Sequence, residues 1–495
     1  MVKSAFALTA LILAAACVSS AVTTAPPEQI HLSLAGSHPI NGSPTGMRVA
    51  WYTSVLPNSS YPPLVQYGLE ADHLSSSAVA TSTQYLTDHG YHHVALMNCT
   101  NLVGGDVYYR VGSGTENITW SSIFTFSTAK WAPDAATQIS IFGDLGYEDS
   151  SSRRKKIMEV EPEQFSLHND DRRFLPVTKD WSATFTRIAL EELKNRNAID
   201  MIFHAGDIGY ADDSFLLDPL HFTYEEVYNG YLNWFQNITT IMPYMVTPGN
   251  HESECHSPAC VINHKKYGVP LSNFTAFNQR WHMPSEESGG HKGSNMWYSF
   301  NLGTVHYVSI DSETDFDGAE EETTGDSHMK NLPAGGFGYK GEYMKWLEND
   351  LAEANRLREE MVASNHTFRS NETKARPWIV AVGHRPYGDI VEAAKLFEKY
   401  HVDVYFAGHL HSYARTDGGS FGNGTMYVVA GGAGCDEMKQ GKEEFFGSIA
   451  PPTQSLTITS HRYSSGVMTV NQTHLKWELI DSVTGQILDS FQLEQ

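Results

Sequence analysis

The chain has 495 residues, 57 acidic against 34 Lys and Arg, for a formal charge of −23 with His neutral. That length fits two or three domains, and 41% hydrophobic with 12% aromatic residues excludes wholesale disorder. The acidic surplus argues against nucleic acid as the main partner, because phosphate backbones bind Lys/Arg-rich faces.

In chain order, Lys3 precedes an apolar run from Ala5 to Cys17, about the length of a secretory h-region. Ser19-Ser20-Ala21 supplies small residues for cleavage, so residues 1–21 are expected to be a signal peptide. Leu13 to Cys17 also loosely resembles a bacterial lipidation site. Sequons decide between the two. Asn-x-Ser/Thr occurs at Asn41, Asn58, Asn98, Asn117, Asn237, Asn273, Asn365, Asn371, Asn423 and Asn471, several times what composition alone would place, and occupied sites need passage through the ER. The expectation is a eukaryotic glycoprotein secreted to the extracellular or cell-wall space. No later stretch of about twenty apolar residues follows, so no membrane anchor is expected. After cleavage Cys99, Cys255, Cys260 and Cys435 remain, an even number that suggests two disulfides with three connectivities open. Cys255–Cys260 is the simplest local pair, and Cys99–Cys435 would then tie the N-terminal region to the core. No CxxC spacing points to a zinc site.

Residues 28–130 hold short alternating segments (47–54, 64–69, 91–98, 107–112, 121–128) between turn residues, which read as a β-sandwich. A linker is expected near Trp131 to Asp134. From 136 to 423, apolar strand-like runs (138–144, 199–207, 241–250, 377–384, 402–409) alternate with longer stretches, of which 182–197 and 342–361 carry helical spacing. On the second helix Glu342 with Lys345, and Glu353 with Arg356, form supporting charge pairs. Strands alternating with helices imply an α/β architecture of sheets flanked by helices. Residues 296–313 read as a hairpin in the same layers, 313–336 as a mobile loop, and 424–495 as further strands extending the sheet.

Five of the apolar runs end alike: a strand, a Gly or turn, then a metal-ligating side chain. They are Asp144 in GDLG, Asp207 and Tyr210 in GDIGY, Asn250 and His251 in GNHE, His384 in GHRP, and His409 and His411 in GHLH. A lone Asp after a strand is usually a helix cap, and a lone His usually a satisfied core residue. Five such tips at once leave that reading little room, since ligands in open α/β proteins gather at the carboxyl ends of strands. Two Asp, one Tyr, one Asn and three His suit two metal ions with one Asp bridging. Two cations about 3.5–4 Å apart can clamp both the attacking and leaving oxygens of a phosphoryl group.

These five motifs resemble the set of the purple acid phosphatases, within the calcineurin-like metallophosphoesterases. The broader superfamily usually has Asp-x-His in the first motif; here Gly146 replaces that His, and Tyr210 appears in the second motif. The resemblance covers most of the chain. It implies an α/β metallophosphoesterase sandwich of mixed sheets flanked by helices (136–423), a fibronectin-III-like N-terminal domain and a C-terminal segment completing the catalytic domain. Carried over, it puts Fe(3+) on Asp144, Tyr210 and His411, and Zn(2+), Fe(2+) or Mn(2+) on Asn250, His384 and His409, with Asp207 between them. It implies an acid phosphatase that hydrolyses small phosphomonoesters by in-line attack of metal-bound hydroxide, with phosphodiester, nucleotide or phytate hydrolysis as the alternative. Its assembly leaves a homodimer open. His251 resembles the histidine that contacts phosphate or protonates the leaving alkoxide, and Asp212 would orient it. Glu252 reads equally as a buried carboxylate supporting the ligands and receives no catalytic step.

The chain departs from large plant forms at one point. Between His384 and His409 it holds only His401, so the leaving-group acid usually assigned to paired histidines there is unfilled. Arg385, Tyr387 or His291 would line the pocket in its place, or Arg385 is simply a surface residue before Pro386. A non-enzymatic glycoprotein with vestigial ligands is the competing class, and all seven positions hold competent residue types against it.

Overall fold

The computed structural model describes residues 26–36, 46–99, 105–147, 182–217, 221–320, 334–363, 375–418, 424–435 and 449–495. The expected signal peptide, Asn41, Asn365, Asn371, Asn423 and residues 321–333 of the expected mobile loop lie outside these.

The N-terminal segments fold as nine strands: β1 (Glu28–Leu34), β2 (Met47–Thr53), β3 (Leu64–Gly68), β4 (Ser76–Val79), β5 (Thr81–Thr83), β6 (Tyr91–Met97), β7 (Asp106–Ser113), β8 (Thr119–Trp120) and β9 (Phe124–Ser127). They form two antiparallel sheets, one in the order β1-β2-β6-β5 and one β4-β3-β7-β8 with β9 also on β7. Period-two alternation turns Val65, Tyr67, Val107, Tyr109 and Val111 inward with Val49 and Trp51.

The following half builds two mixed sheets, beside a short parallel pair of β11 (Leu145–Gly146) and β13 (Ile208–Gly209). One runs β14 (Tyr244–Val246), β12 (Met201–His204), β10 (Thr137–Phe142), then β22 (Ser464–Val470), β23 (His474–Asp481) and β24 (Ile487–Glu494). The first three are mutually parallel and buried except at Gln138, while the C-terminal meander joins β10 antiparallel. The second runs β15 (Tyr298–Leu302), β16 (Val305–Ser309), β17 (Trp378–Val382), β18 (Val404–Ala407), β20 (Met426–Ala430), β19 (Tyr413–Thr416) and β21 (Leu456–Ser460). Phe203 of β12 meets Tyr298, Phe300 and Tyr307 of the other sheet at ring-centroid distances of 6.4, 6.0 and 6.3 Å, so the core lies between the sheets.

Helices α1 (Ser182–Asn195), α2 (Tyr224–Thr239), α3 (Glu342–Ala363) and α4 (Val391–Lys399) flank the sheets. In α3 the Glu353–Arg356 pair forms at 2.8 Å, whereas Glu342 accepts from Tyr339 N at 2.9 Å rather than pairing with Lys345. Helix α2 was not expected from the sequence. Its buried Tyr224, Val227, Tyr228, Tyr231, Phe235 and Ile238 fall three and four apart on one face.

Two expectations are corrected. Cys255 and Cys260 are bonded, with Cα atoms 6.3 Å apart, but Cys99 and Cys435 are separate buried thiols. Cys99 belongs to the main core, and its Sγ donates to Met97 O at 3.4 Å. Cys435 packs with Tyr210 and Tyr463 in a different cluster, so an even count of cysteines did not imply proximity. The start of the expected mobile loop is also fixed. Glu313 and Thr314 are buried, and both backbone N–H groups donate to Asp311.

The N-terminal sandwich grips α2 and the segment after it. Asn233 and Gln236 side chains of α2 accept from Gln29 N and Ile30 N at 3.0 and 2.8 Å. Arg280 is buried between the two halves, donating to Glu225 of α2 and to Tyr85 Oη, both at 2.8 Å. Buried His31, His92 and His93 belong to the sandwich side of this region. Burial chiefly lowers all three pKa values, that of His93 from 6.5 to about 4. Below pH 6.5 the unfolded chain therefore binds protons that the folded chain refuses. Stability is expected to fall as pH drops from 6.5 toward about 4, by about 1.4 kcal/mol per pH unit from His93, with His31 and His92 acting in the same direction. Denaturant midpoints across that window check it, and a midpoint that rises on acidification contradicts it.

Candidate metal centre

The parallel strands β10, β12, β14, β17 and β18 end at one rim between the two sheets, and every predicted ligand lies just beyond such an end. Turning the chain so sharply there costs backbone strain. Asp144, Asp207, Tyr210 and His409 have φ of 63°, 55°, 52° and 68°, a region that penalises side-chain-bearing residues by about 1–3 kcal/mol each. The neighbouring glycines admit the crowding. A Cβ on Gly408 would lie 2.5 Å from Asp144 Oδ2, and one on Gly249 would strike Asp207 Oδ1.

The structure brings all seven side chains together. His384 Nε2 lies 3.1 Å from Asp207 Oδ2 and 3.0 Å from Asn250 Oδ1. His409 Nδ1 is also 3.0 Å from Asn250 Oδ1. On the other side, Tyr210 Oη is 3.2 Å from both Asp144 Oδ1 and His411 Nε2. Asp207, His384 and His409 each offer a ligand atom within 4.8 Å of the others, and so do Asp144, Asp207 and His411. Asp207 belongs to both groups.

This donor set fits cations. His384 Nδ1 donates to Ala205 O at 2.8 Å, which leaves Nε2 as a lone pair facing two oxygens. Without a metal, a second proton must sit there: burial opposes it, yet Asp207 and Asp144 draw the His384 pKa up to about 10. Asp207 is buried too, but His384 and His251 hold its carboxyl well below the usual range. A cation among these lone pairs takes the place of that proton.

Glu252 ties the ligand loops together. Its buried carboxylate accepts from Asp207 N, Ile208 N and Gly249 N at 2.9, 2.8 and 2.8 Å. Burial, then the charge of Asp207, pushes its pKa up to about 8 against those N–H donors. Cations held by Asp207 counter the second cause. Such a placement matches the reading of Glu252 as a buried supporting carboxylate; its partners could not be named from the sequence because two of them lie 44 and 45 positions away.

His251 donates its N–H to Asp207 Oδ1 at 3.0 Å, and its Nδ1 lies 2.9 Å from Asp212 Oδ2. Its Nε2 turns back to 3.9 Å from Asp207 Oδ2, so the expected pair is assembled beside the cluster. His256, which sequence reasoning missed, reaches the same Asp212. Arg385 is not a surface residue. It is 2% exposed and donates to Glu313 Oε2 at 2.8 Å. Tyr387 packs edge-on against Tyr427, and His291 lies 3.5 Å from Glu342. His401 has φ of 53° in the turn before β18 rather than opening the strand.

Comparison with known proteins follows the same divisions of the chain. Residues 27–128 match the family model "Purple acid Phosphatase, N-terminal domain", 137–413 match "Calcineurin-like phosphoesterase", and 424–490 match "Iron/zinc purple acid phosphatase-like protein C". The chain is 27% identical to "Acid phosphatase A" of Cryphonectria parasitica over 96% of its own length and 92% of that protein. It is 26% identical to "Acid phosphatase" of Aspergillus ficuum over 91% and 85% of the two chains. To "Probable purple acid phosphatase 20" of Arabidopsis thaliana it is 27% identical over 79% and 69%.

The arrangement yields a direct expectation for Glu252. Glu252→Ala frees three backbone N–H groups that hold the Asp207 and Asn250 loops in place. Metal affinity, read by competition with a chelator, is expected to fall about 10–100-fold. An unchanged affinity would show that the loops hold their shape without it.

Proposed function

The chain belongs to the purple acid phosphatases, within the calcineurin-like phosphoesterases, and is a hydrolase of that class; from there we propose that it is a secreted acid phosphatase cleaving small phosphate monoesters at a two-metal centre. The observation that carries this reading is the sharing of Asp207 between two ligand groups. Fe(3+) is assigned to Asp144, Tyr210 and His411, whose carboxylate and phenol oxygens suit a hard cation. Zn(2+), Fe(2+) or Mn(2+) is assigned to Asn250, His384 and His409, with Asp207 common to both. Bound there, the two ions would supply Lewis acidity toward the phosphoryl oxygens and an activated water.

The side chains of this protein do the rest. The strained strand tips hold the ligands in place before substrate arrives, so little reorganisation is needed during the reaction. His384 keeps its proton on Nδ1 through Ala205 O. Tyr210 packs at a tilt against the His251 ring, with ring centroids 4.4 Å apart, and confines it. His251, with Asp212 at Nδ1, presents Nε2 toward the centre as the donor to the departing oxygen.

Domain bounds of 28–130, 136–423 and 424–495 are proposed, supported by the spans of the matching family models. The two antiparallel sheets of the first support a fibronectin-III-like reading. For secretion, Asn58, Asn98, Asn117, Asn237 and Asn471 are exposed and Asn273 half-buried, so the sequons described are accessible to glycan transfer at most positions. No helix among the described residues is long and apolar enough to cross a membrane.

Turnover of p-nitrophenyl phosphate, a phosphodiester and inositol hexakisphosphate tests the reading. The monoester is expected to dominate, and Asn250→Ala and His409→Ala are each expected to lower its turnover at least about 100-fold, with far-UV circular dichroism unchanged. Full activity in either variant overturns the site, while a dominant diester or phytate rate reassigns the substrate class.

A further inference from the structure

Two imidazoles converge on one buried carboxylate. Asp212 Oδ2 lies 2.9 Å from His251 Nδ1 and 2.7 Å from His256 Nδ1. Asp212 has no exposed surface and His256 is 6% exposed. Nε2 of His256 is buried with no hydrogen-bond partner among the described residues, so Nδ1–H is the one polar tether of that ring. Leaving such a nitrogen unsatisfied costs about 1–3 kcal/mol, and an apolar side chain would fill the space without that cost.

Its backbone is anchored closely. His256 sits inside the loop closed by the Cys255–Cys260 disulfide. Ser257 then caps the short helix Pro258–Ile262, its Oγ accepting from Ala259 N at 3.3 Å. These constraints aim Nδ1 of His256 at Asp212.

Asp213 shows why this matters. Its Oδ2 lies 3.8 Å from His251 Nδ1, so a second carboxylate competes for the same ring nitrogen. A donor fixed on Asp212 Oδ2 holds the carboxylate plane, and with it the direction of His251 Nε2.

We propose that His256 is a positioning residue for leaving-group protonation: by donating to Asp212 from the disulfide-closed loop, it holds His251 with Nε2 directed at the departing oxygen. This rests on the monoesterase reading above. It also accounts for how one histidine protonates the leaving oxygen in a chain without the paired histidines noted in the sequence. The step balances: water oxygen forms the new bond to phosphorus as the P–O bond to the leaving group breaks, and the proton on Nε2 of the His251 imidazolium passes to the departing oxygen, giving phosphate, a neutral alcohol and a neutral His251 that keeps its Nδ1–H on Asp212.

Leaving groups of different basicity read this out. A p-nitrophenolate departs with little need of a proton, because its ring delocalises the charge, whereas an alkoxide such as that of glycerol 2-phosphate needs one. In His256→Leu, kcat for glycerol 2-phosphate is expected to fall about tenfold or more and kcat for p-nitrophenyl phosphate about twofold, with both KM values nearly unchanged. His256→Asn, whose amide can occupy the Nδ1 position, is expected to return the ratio of the two rates to near that of the native protein. His256→Gln, which presents its amide beyond that position, is not. Equal losses on both esters, or none, overturn the proposal. If His256→Leu fails to fold, the Asn and Gln variants decide, and identical ratios in both overturn it. A native protein that hydrolyses neither ester instead removes the monoesterase reading itself, before any variant is made.

Discussion

Buried charge at the strand tips is the constraint from which the rest of the structure follows. Asp144 and Asp207 are buried beside Tyr210, Asn250 and three imidazoles, several of them lone pair to lone pair at about 3 Å. Carboxylates, an amide oxygen and imidazole lone pairs packed so closely in a low dielectric need a proton or a cation between them. Two cations resolve the conflict at once, because Asp207 reaches both ligand groups. The strained φ values of four of these residues fit the same logic, since binding energy at the centre offsets what the backbone loses.

The supports of this centre run back to the domain interface. Glu252 fastens the Asp207 and Asn250 loops and accepts from Tyr228 Oη at 3.3 Å. Tyr228 lies on α2, the helix that the N-terminal sandwich grips through Asn233, Gln236 and the Arg280–Glu225–Tyr85 contacts. The sandwich therefore braces the helix that braces the ligand loops. A buried ion pair such as Arg280–Glu225 is a weak source of net stability, but breaking it leaves a buried charge, so it registers the two halves against each other.

Much of this was legible in the sequence because it is local. Each ligand sits in a tetrapeptide at a strand end, and β10, β12, β17 and β18 announce themselves as short apolar runs before glycine. What stayed hidden depends on partners far along the chain. Glu252 was legible as a buried supporting carboxylate but not its partners Asp207 and Ile208, and for Arg385 nothing local pointed to Glu313. His256 carried one signal, its enclosure between Cys255 and Cys260, that could have marked it. Helix α2 was missed because its Asn, Gly and aromatic residues are poor helix formers individually, although their spacing is helical. Cys99 and Cys435 show the converse, a parity argument overruled by two separate cores.

Metal analysis of the purified protein, read with its visible absorption spectrum, tests the shared carboxylate most directly. The account predicts two ions per chain, one of them iron, with a phenolate-to-iron band that vanishes in Tyr210→Phe, and loss of both ions in Asp207→Asn. A folded native chain holding one ion or none, or an Asp207→Asn chain that keeps two, would contradict it.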